Sequence, residues 1–293
     1  MGKSPILADY IAADSGAREL RRNPLGVEFL GDHHRQHRLD ALADRRVANL
    51  EYGQSVIESG IPTGPMRAPR SNALRFAFQS FIDELAHRAG TDPVEFRLAL
   101  LGAPRVLVNS TGKPDALRDF NTARMRDVLL KVAEISGWSE RSSLPSRSGK
   151  GAAFYFSHLG YFAEVVQATV AASGEVKIDR VWVVADVGRQ IVNPSGAEQQ
   201  VQGAVLDGIG QALGQRITIE RGRVVEANFD AVRPLRIDQA APVEVQFLTT
   251  DHPPTGLGEP ALPPVVPALC NAIFAATGKR IRSLPIDAQL LKT

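Results

Sequence analysis

Apolar residues recur at helical spacing between positions 71 and 90, where Leu74, Phe78, Phe81, Ile82 and Leu85 define one face. Ser71 or Asn72 is placed to cap the start and Gly90 to close the end. A second helix begins at once, with Asp92 as cap, Pro93 in the first turn, and Val94, Phe96, Leu98 and Leu101 as its apolar surface. A third runs from about Asn121 to Ser136 with Met125, Val128, Leu129, Val132 and Ile135 on one side. The period then changes from helical to β. Phe162–Val170 and Val176–Val184 are β-rich and flank the turn sequence AASGE, which predicts a hairpin. A helix from about Pro194 to Leu213 with Asn193 as cap follows. After it come a second hairpin, Arg216–Glu220 with Arg223–Ala227, a strand at Val243–Leu248 and a last helix from about Val265 to Thr277.

Helices followed by antiparallel hairpins mixed with helices define an α+β chain without regular βαβ alternation. The stretch at 143–151, SLPSRSGKG, has few apolar residues and reads as a linker or exposed loop. It divides a mainly helical part, 51–142, from an α+β part, 143–293. Residues 1–50 are the least legible. The pair His33 and His37, with His34 between them, has the spacing of one helix face, but arginines crowd the segment and no acidic base separates the histidines. A solvated, charged helix is favoured over a metal site.

Composition narrows the function classes. Among 293 residues, 34 basic side chains stand against 32 acidic ones, which argues against a partner held by charge alone, such as nucleic acid. The one cysteine, Cys270, lies in an apolar helical stretch and reads as a buried structural thiol. A single thiol cannot hold an iron–sulfur cluster, which needs about four ligands. No apolar run reaches the roughly 18 residues of a membrane span, and the N-terminus lacks a signal-peptide core, so the cytoplasm is the expected compartment.

Three segments carry candidate chemistry. Ile61–Arg70 places Arg67 and Arg70 in a proline-stiffened loop that runs into a helix N-terminus, which is either an anion site or a solvated loop. Ala185–Pro194 places Asp186 in a turn before a helix whose first turns hold Gln199, Gln200 and Gln202. Their amides suit a polar heterocycle or simply face solvent. GLGEPALPP, 256–264, frames one carboxylate, Glu259, between Gly256, Gly258 and three prolines. Glycine admits close approach, proline fixes the chain, and a general base needs such fixed placement. The glycines at 203, 208, 210 and 214 lie in a helical pattern, which favours close helix packing over phosphate binding.

Together these segments resemble the molybdenum-binding subunit of the xanthine dehydrogenase and aldehyde oxidase family, most of all its isoquinoline 1-oxidoreductase β-subunit branch. The resemblance rests on TGPMRAPRSNALRFAFQSFIDELAHRAGTDPVEFRLALLG, GKGAAFYFSHLGYFAEV, ADVGRQIVNPSGAEQQVQGAVLDGIGQAL and the stretch from NFDAVRPLR through TGLGEPALPP to RSLPI. It covers most of residues 50–290. It implies hydroxylation of an N-heteroaromatic compound, or oxidation of an aldehyde, with oxygen from water and a molybdenum centre on molybdopterin cytosine dinucleotide. In this family a glutamate in Gly-Glu-Pro is the base, and Glu259 occupies its place, next to Gly258. Arg67 matches an arginine near the metal, and Gln200 a glutamine that hydrogen-bonds the pterin. The family's subunit is far longer, so the chain resembles its C-terminal portion. The resemblance then implies two partners: the preceding part of the molybdenum subunit, and an iron–sulfur subunit. Met66 stands where the branch carries an aromatic residue, and Val232 where it carries tyrosine. A non-catalytic assembly module and an unrelated α+β binding protein are the competing expectations.

Overall fold

A computed structural model of the chain describes residues 65–69, 71–108, 114–115, 118–232 and 234–292. The segment 1–50 with its three histidines, and Arg70, lie outside the described residues. The elements are α1 (Ser71–Arg88), α2 (Pro93–Leu101), the short pair β1 (Val106–Leu107) and β2 (Phe120–Asn121), α3 (Thr122–Ile135), β3 (Ser148–Ser157), β4 (Gly160–Val170), β5 (Val176–Asp186), α4 (Pro194–Leu213), the short pair β6 (Ile219–Glu220) and β7 (Arg223–Val224), β8 (Val243–Phe247) and α5 (Leu262–Thr277).

The main sheet has the order β3-β4-β5-β8. The first three strands pair antiparallel and β8 runs parallel to β5, so the chain is α+β with one crossover through α4. Helices cover both faces. On one, α4 and α5 close over Phe162, Val166, Val181 and Val183; on the other, α2 and α3 close over Phe154, Tyr161, Val165 and Val184.

Local chemistry sets the helix starts. The Asp92 carboxylate accepts from the Val94 and Glu95 amides, Asn121 from Ala123 and Arg124, and Asn193 from Gly196, each satisfying first-turn donors that a helix leaves unpaired. Helix α5 starts three residues before the apolar pattern suggests. Pro263 and Pro264 fit the first turn, where their missing N–H costs no hydrogen bond. Ser71 and Asn72 are committed elsewhere than to the start of α1. Ser71 Oγ accepts from the Tyr155 hydroxyl at 2.7 Å, and the Asn72 amide donates to Gln211 Oε1 at 3.0 Å.

Two sequence expectations are corrected. The stretch 143–151 is no linker. From Ser148 it is strand β3, and Gly149 and Gly151 are there because α5 lies against the strand's backbone. A Cβ on Gly151 would stand 2.2 Å from the Ala268 carbonyl oxygen, and one on Gly149 2.5 Å from that of Ala272. Helix α1, in turn, buries only some of the face its apolar spacing marks, Ile82 and part of Phe78. Leu74, Phe81 and Leu85 are 43%, 56% and 38% exposed, whereas Arg75, Gln79 and Asp83 are buried. A polar network draws that face inward. Arg97 donates to Gln79 Oε1 and to the Gln79 carbonyl, and Arg280 pairs with Asp83 at 2.7 Å. Buried polar groups that find partners can outweigh an apolar stripe.

Glu164 is an exception to that rule. It lies on β4 between Ala153 and Val183, on the face covered by α4 and α5, and is fully buried with neither carboxyl oxygen hydrogen-bonded. Burial pushes its carboxyl well above the ordinary carboxylate range. In the unfolded chain it ionises near about 4.3. Below that pH both states are protonated and the group is neutral in the balance. As pH rises between the two values only the unfolded chain ionises, so stability falls. Replacing Glu164 by Gln therefore removes a destabilising slope. The melting temperature of the variant relative to wild type rises from pH 4 to pH 7, and thermal melts at the two pH values check it. An unchanged difference overturns it.

Candidate active site

The site is built from three separate segments. The loop before α1 brings Arg67 inward. Ala68, directly after it, is fully buried and adopts a left-handed backbone (φ 54°), and its carbonyl accepts from Ser71 N at 3.1 Å. A non-glycine residue in that region is strained, so the surrounding contacts must hold it there. The second contributor is the exposed beginning of α4, where Gln200 stands. The third is the run into α5. There Leu257 packs into the core and Pro260 and Ala261 are buried, leaving Gly258 and Glu259 raised between two anchors.

Arg67 ties the three together. Its Nε donates to the Gly258 carbonyl oxygen at 2.7 Å, and its terminal nitrogen donates to the same oxygen, to the Gln200 carbonyl at 3.0 Å and to Gln200 Oε1 at 3.2 Å. With Oε1 of Gln200 committed to Arg67, the Gln200 amide nitrogen bonds no described residue. A Cβ on Gly258 would meet nothing nearer than Gln200 Oε1 at 3.5 Å, and one on Gly256 nothing nearer than His158 at 3.9 Å, so this bare stretch of backbone can be approached closely. The structure thus brings together Arg67, Gln200, Gly258 and Glu259, the four residues to which the family resemblance points.

Glu259 has a partner that the sequence did not suggest. His158, in the turn between β3 and β4, places Nε2 2.7 Å from Glu259 Oε2, and Ser157 Oγ lies 2.7 Å from His158 Nδ1. Nothing in local sequence links position 158 to 259. Only the pairing of β3 with β4 and the return of the chain past β5 bring them together.

Other polar residues of these segments have structural tasks. Asp186 is buried and bound to Arg124 through Nε at 2.6 Å and a terminal nitrogen at 2.7 Å, to Gly188 N and to the Thr250 hydroxyl, so it is no free ligand. Burial alone would raise its pKa, but the Arg124 hydrogen bonds and charge, with the Gly188 and Thr250 donors, outweigh burial and hold it below the usual carboxylate range. Gln202 donates to Glu198 and lies beside Val243. Gly208 serves helix packing, since a Cβ there would lie 2.5 Å from Val265 Cγ1. Cys270 is buried, and burial pushes its thiol up to about 12, as expected for a structural cysteine. Among the described residues, no group of three or more His, Cys, Asp or Glu side chains is placed to ligate a metal. None of the described helices is long and apolar enough to cross a membrane.

The donor set, two amide hydrogens of Gln200 and a guanidinium beside bare glycine backbone, fits an acceptor-rich, anionic heterocyclic cofactor. The sequence matches the model of the molybdopterin cofactor-binding domain over residues 72–241, and the chain belongs to that family, within the xanthine dehydrogenase family of molybdenum proteins. It is 34% identical over 234 residues to a nicotinate dehydrogenase subunit of Pseudomonas putida, covering 78% of this chain and 19% of that protein. It is 30% identical over 262 residues to the beta subunit of isoquinoline 1-oxidoreductase of Brevundimonas diminuta, covering 86% and 29%. To a membrane-bound aldehyde dehydrogenase [pyrroloquinoline-quinone] of Gluconacetobacter polyoxogenes it is 33% identical over 229 residues, covering 76% and 29%. The chain thus spans less than a third of the length of these relatives. In fold it is similar to the aldehyde oxidoreductases of Desulfovibrio gigas (TM-score 0.58) and Desulfovibrio desulfuricans (0.60), each at 14% identity and covering 75% of this chain and 40% of that one.

Proposed function

We propose that this chain forms one wall of the active site of a molybdenum hydroxylase and supplies its general base, Glu259. The reaction is hydroxylation of an N-heteroaromatic compound or oxidation of an aldehyde, with oxygen taken from water. The observation that carries this reading is the knot of Arg67, Gln200 and Gly258 beside Glu259. Three distant segments converge on a rigid loop that presents a single carboxylate. The relatives' names support both substrate classes: two act on nitrogen heterocycles and one on aldehydes.

Molybdopterin cytosine dinucleotide, when bound, supplies the sink for the two electrons the substrate loses. The Gln200 amide nitrogen and the Arg67 guanidinium would hold the cofactor by donating to its acceptor atoms. Arg67 also fixes the Gly258 carbonyl and with it the direction of the next residue. Addition of water to the substrate carbon releases two protons along with the two electrons, and Glu259 accepts one of those protons. The electrons leave through an iron–sulfur subunit, since one buried cysteine cannot hold a cluster. The rest of the molybdenum subunit completes the site and covers the exposed Leu74, Phe81 and Leu85 of α1. Those same exposed side chains favour a second reading, a folded assembly module without a catalytic role.

Metal and nucleotide analysis tests the proposal. The chain assembled with the rest of its subunit and an iron–sulfur partner carries stoichiometric molybdenum and releases CMP on acid hydrolysis, whereas the isolated chain carries neither. Arg67→Ala lowers turnover of the assembly about 10–100-fold, the range for residues that orient a metal site from outside it, and leaves the fold intact. Stoichiometric molybdenum on the isolated chain contradicts a site completed elsewhere. Unchanged turnover and cofactor content in Arg67→Ala favour the assembly module.

A further inference from the structure

We propose that His158 is a positioning residue that fixes the orientation of the Glu259 carboxylate and so decides which of its oxygens serves as the base; this rests on the reading of Glu259 given above. The turn that carries His158 is unusual. His158 and Leu159 adopt φ of 50° and 69°, both in the left-handed region, where a tight β-hairpin normally places Asn or Gly. This turn geometry, between Ser157 and Gly160 at the end of the β3–β4 ladder, sends the imidazole across to the loop before α5.

The imidazole is held at both nitrogens. On one side Nε2 stands 2.7 Å from Glu259 Oε2, an ion-pair contact between the imidazole and the carboxylate. At 2.7 Å on the other side lies the hydroxyl of Ser157, a buried residue. A hydroxyl both donates and accepts. It donates to Nδ1 when the ring is neutral and accepts from Nδ1–H when the ring is charged. Both ring nitrogens thus face a polar partner, Ser157 on one side and Glu259 on the other.

The consequence concerns the other oxygen. Oε2 is committed to His158, whereas no described residue bonds Oε1. The side chains of Glu259 and His158 are 35% and 46% exposed, so without this contact the carboxylate is free to rotate in an open site. The backbone frame of Gly258 and Pro260 sets where Cα stands. The His158 contact sets the plane of the carboxylate, which places Oε1 as the proton acceptor.

Two measurements test this. In the chain labelled with ¹⁵N-histidine, the ring resonances of His158, assigned by their loss in His158→Gln, shift on Glu259→Gln and on Ser157→Ala but stay in place on Glu244→Gln. This readout needs no cofactor. In the assembled enzyme, His158→Ala lowers kcat about 10–100-fold with KM unchanged, because a small misplacement of a reacting group costs rate rather than binding. His158→Gln, whose amide donates near the position of Nε2, restores most of that loss. Unmoved His158 resonances in Glu259→Gln overturn the proposal. So does wild-type kcat in His158→Ala, or an equal loss in His158→Ala and His158→Gln. The underlying reading fails separately: if Glu259→Gln retains wild-type turnover, Glu259 is not the base. If Glu259→Gln loses turnover and His158→Ala does not, only the role of His158 is lost.

Discussion

Replacing Glu259 by Gln lowers the turnover of the assembled enzyme by about 10²–10⁴-fold, the range for loss of a general base, and leaves its thermal stability unchanged. The two halves of this expectation have separate causes. The loop that carries Glu259 is held by Leu257 in the core and by the buried Pro260 and Ala261, none of which the substitution touches. The side chain itself is partly exposed, and its described polar contact is to His158. Glutamine keeps the shape and still offers His158 an acceptor oxygen, so packing and the turn survive. What it cannot do is take up a proton at neutral pH. The loss therefore falls on the chemical step, and single-turnover reduction with saturating substrate, at equal molybdenum content, reads it directly. Glu244→Gln is the control, because Glu244 sits on β8 in an exposed pair with Arg180 at 3.6 Å. A Glu259→Gln enzyme that is reduced by substrate at the wild-type rate removes Glu259 from the mechanism.

The site was more legible in the sequence than the packing around it. Arg67, Gln200, Gly258 and Glu259 stand in segments whose local composition is unusual: proline-stiffened, glycine-bare, or crowded with amides. Such composition reflects demands on the backbone that are visible one segment at a time. Strand β4, strand β5 and helices α2 to α4 were legible for a similar reason, since period and caps are local. The larger failures involve partners in other elements of the chain. Gly149 and Gly151 read as loop residues because the reason for them is the backbone of Ala268 and Ala272, more than a hundred positions away. The inward face of α1 was missed because Arg97 and Arg280 supply the charges that make burying Gln79 and Asp83 favourable. His158 gave no signal, because a histidine in a hairpin turn acquires a role only once Glu259 is folded against it. Asp186 looked like a site residue since it precedes a helix with an amide-rich first turn; its partner Arg124 lies 62 positions earlier.

That pair gives the largest expected effect on stability. Replacing Asp186 by Ala destabilises the fold on the order of 3–5 kcal/mol, as for a buried ion pair broken on one side, and lowers the melting temperature by roughly 10 °C for a chain of this size. Asp186 closes β5 and accepts from Arg124 twice, from Gly188 N at 3.0 Å and from the Thr250 hydroxyl at 2.9 Å. Its removal leaves the Arg124 guanidinium buried over the Tyr161 ring, 4.3 Å from the ring centre, without its counter-charge. The same carboxylate aligns the chain that leads to Glu259. Beside it Leu248 N donates to the Ala185 carbonyl at 2.8 Å and Thr255 N to that of Val187 at 2.9 Å, and Gly188, at φ 96°, leaves room for the backbone of Pro253. Turnover therefore falls together with stability in Asp186→Ala, whereas in Glu259→Gln it falls alone. The pH dependence follows from the lowered pKa of Asp186. The stabilisation is complete above the unfolded value of about 3.9 and is lost as pH falls through the lower folded value. The difference in melting temperature between wild type and Asp186→Ala is thus constant from pH 7 down to about pH 5 and narrows in stronger acid. Arg124→Met combined with Asp186→Leu, which removes both charges, recovers part of the lost stability. An Asp186→Ala protein that melts with wild type, or a double variant less stable than the single one, refutes the assignment of this pair as the clamp between α3 and the end of β5.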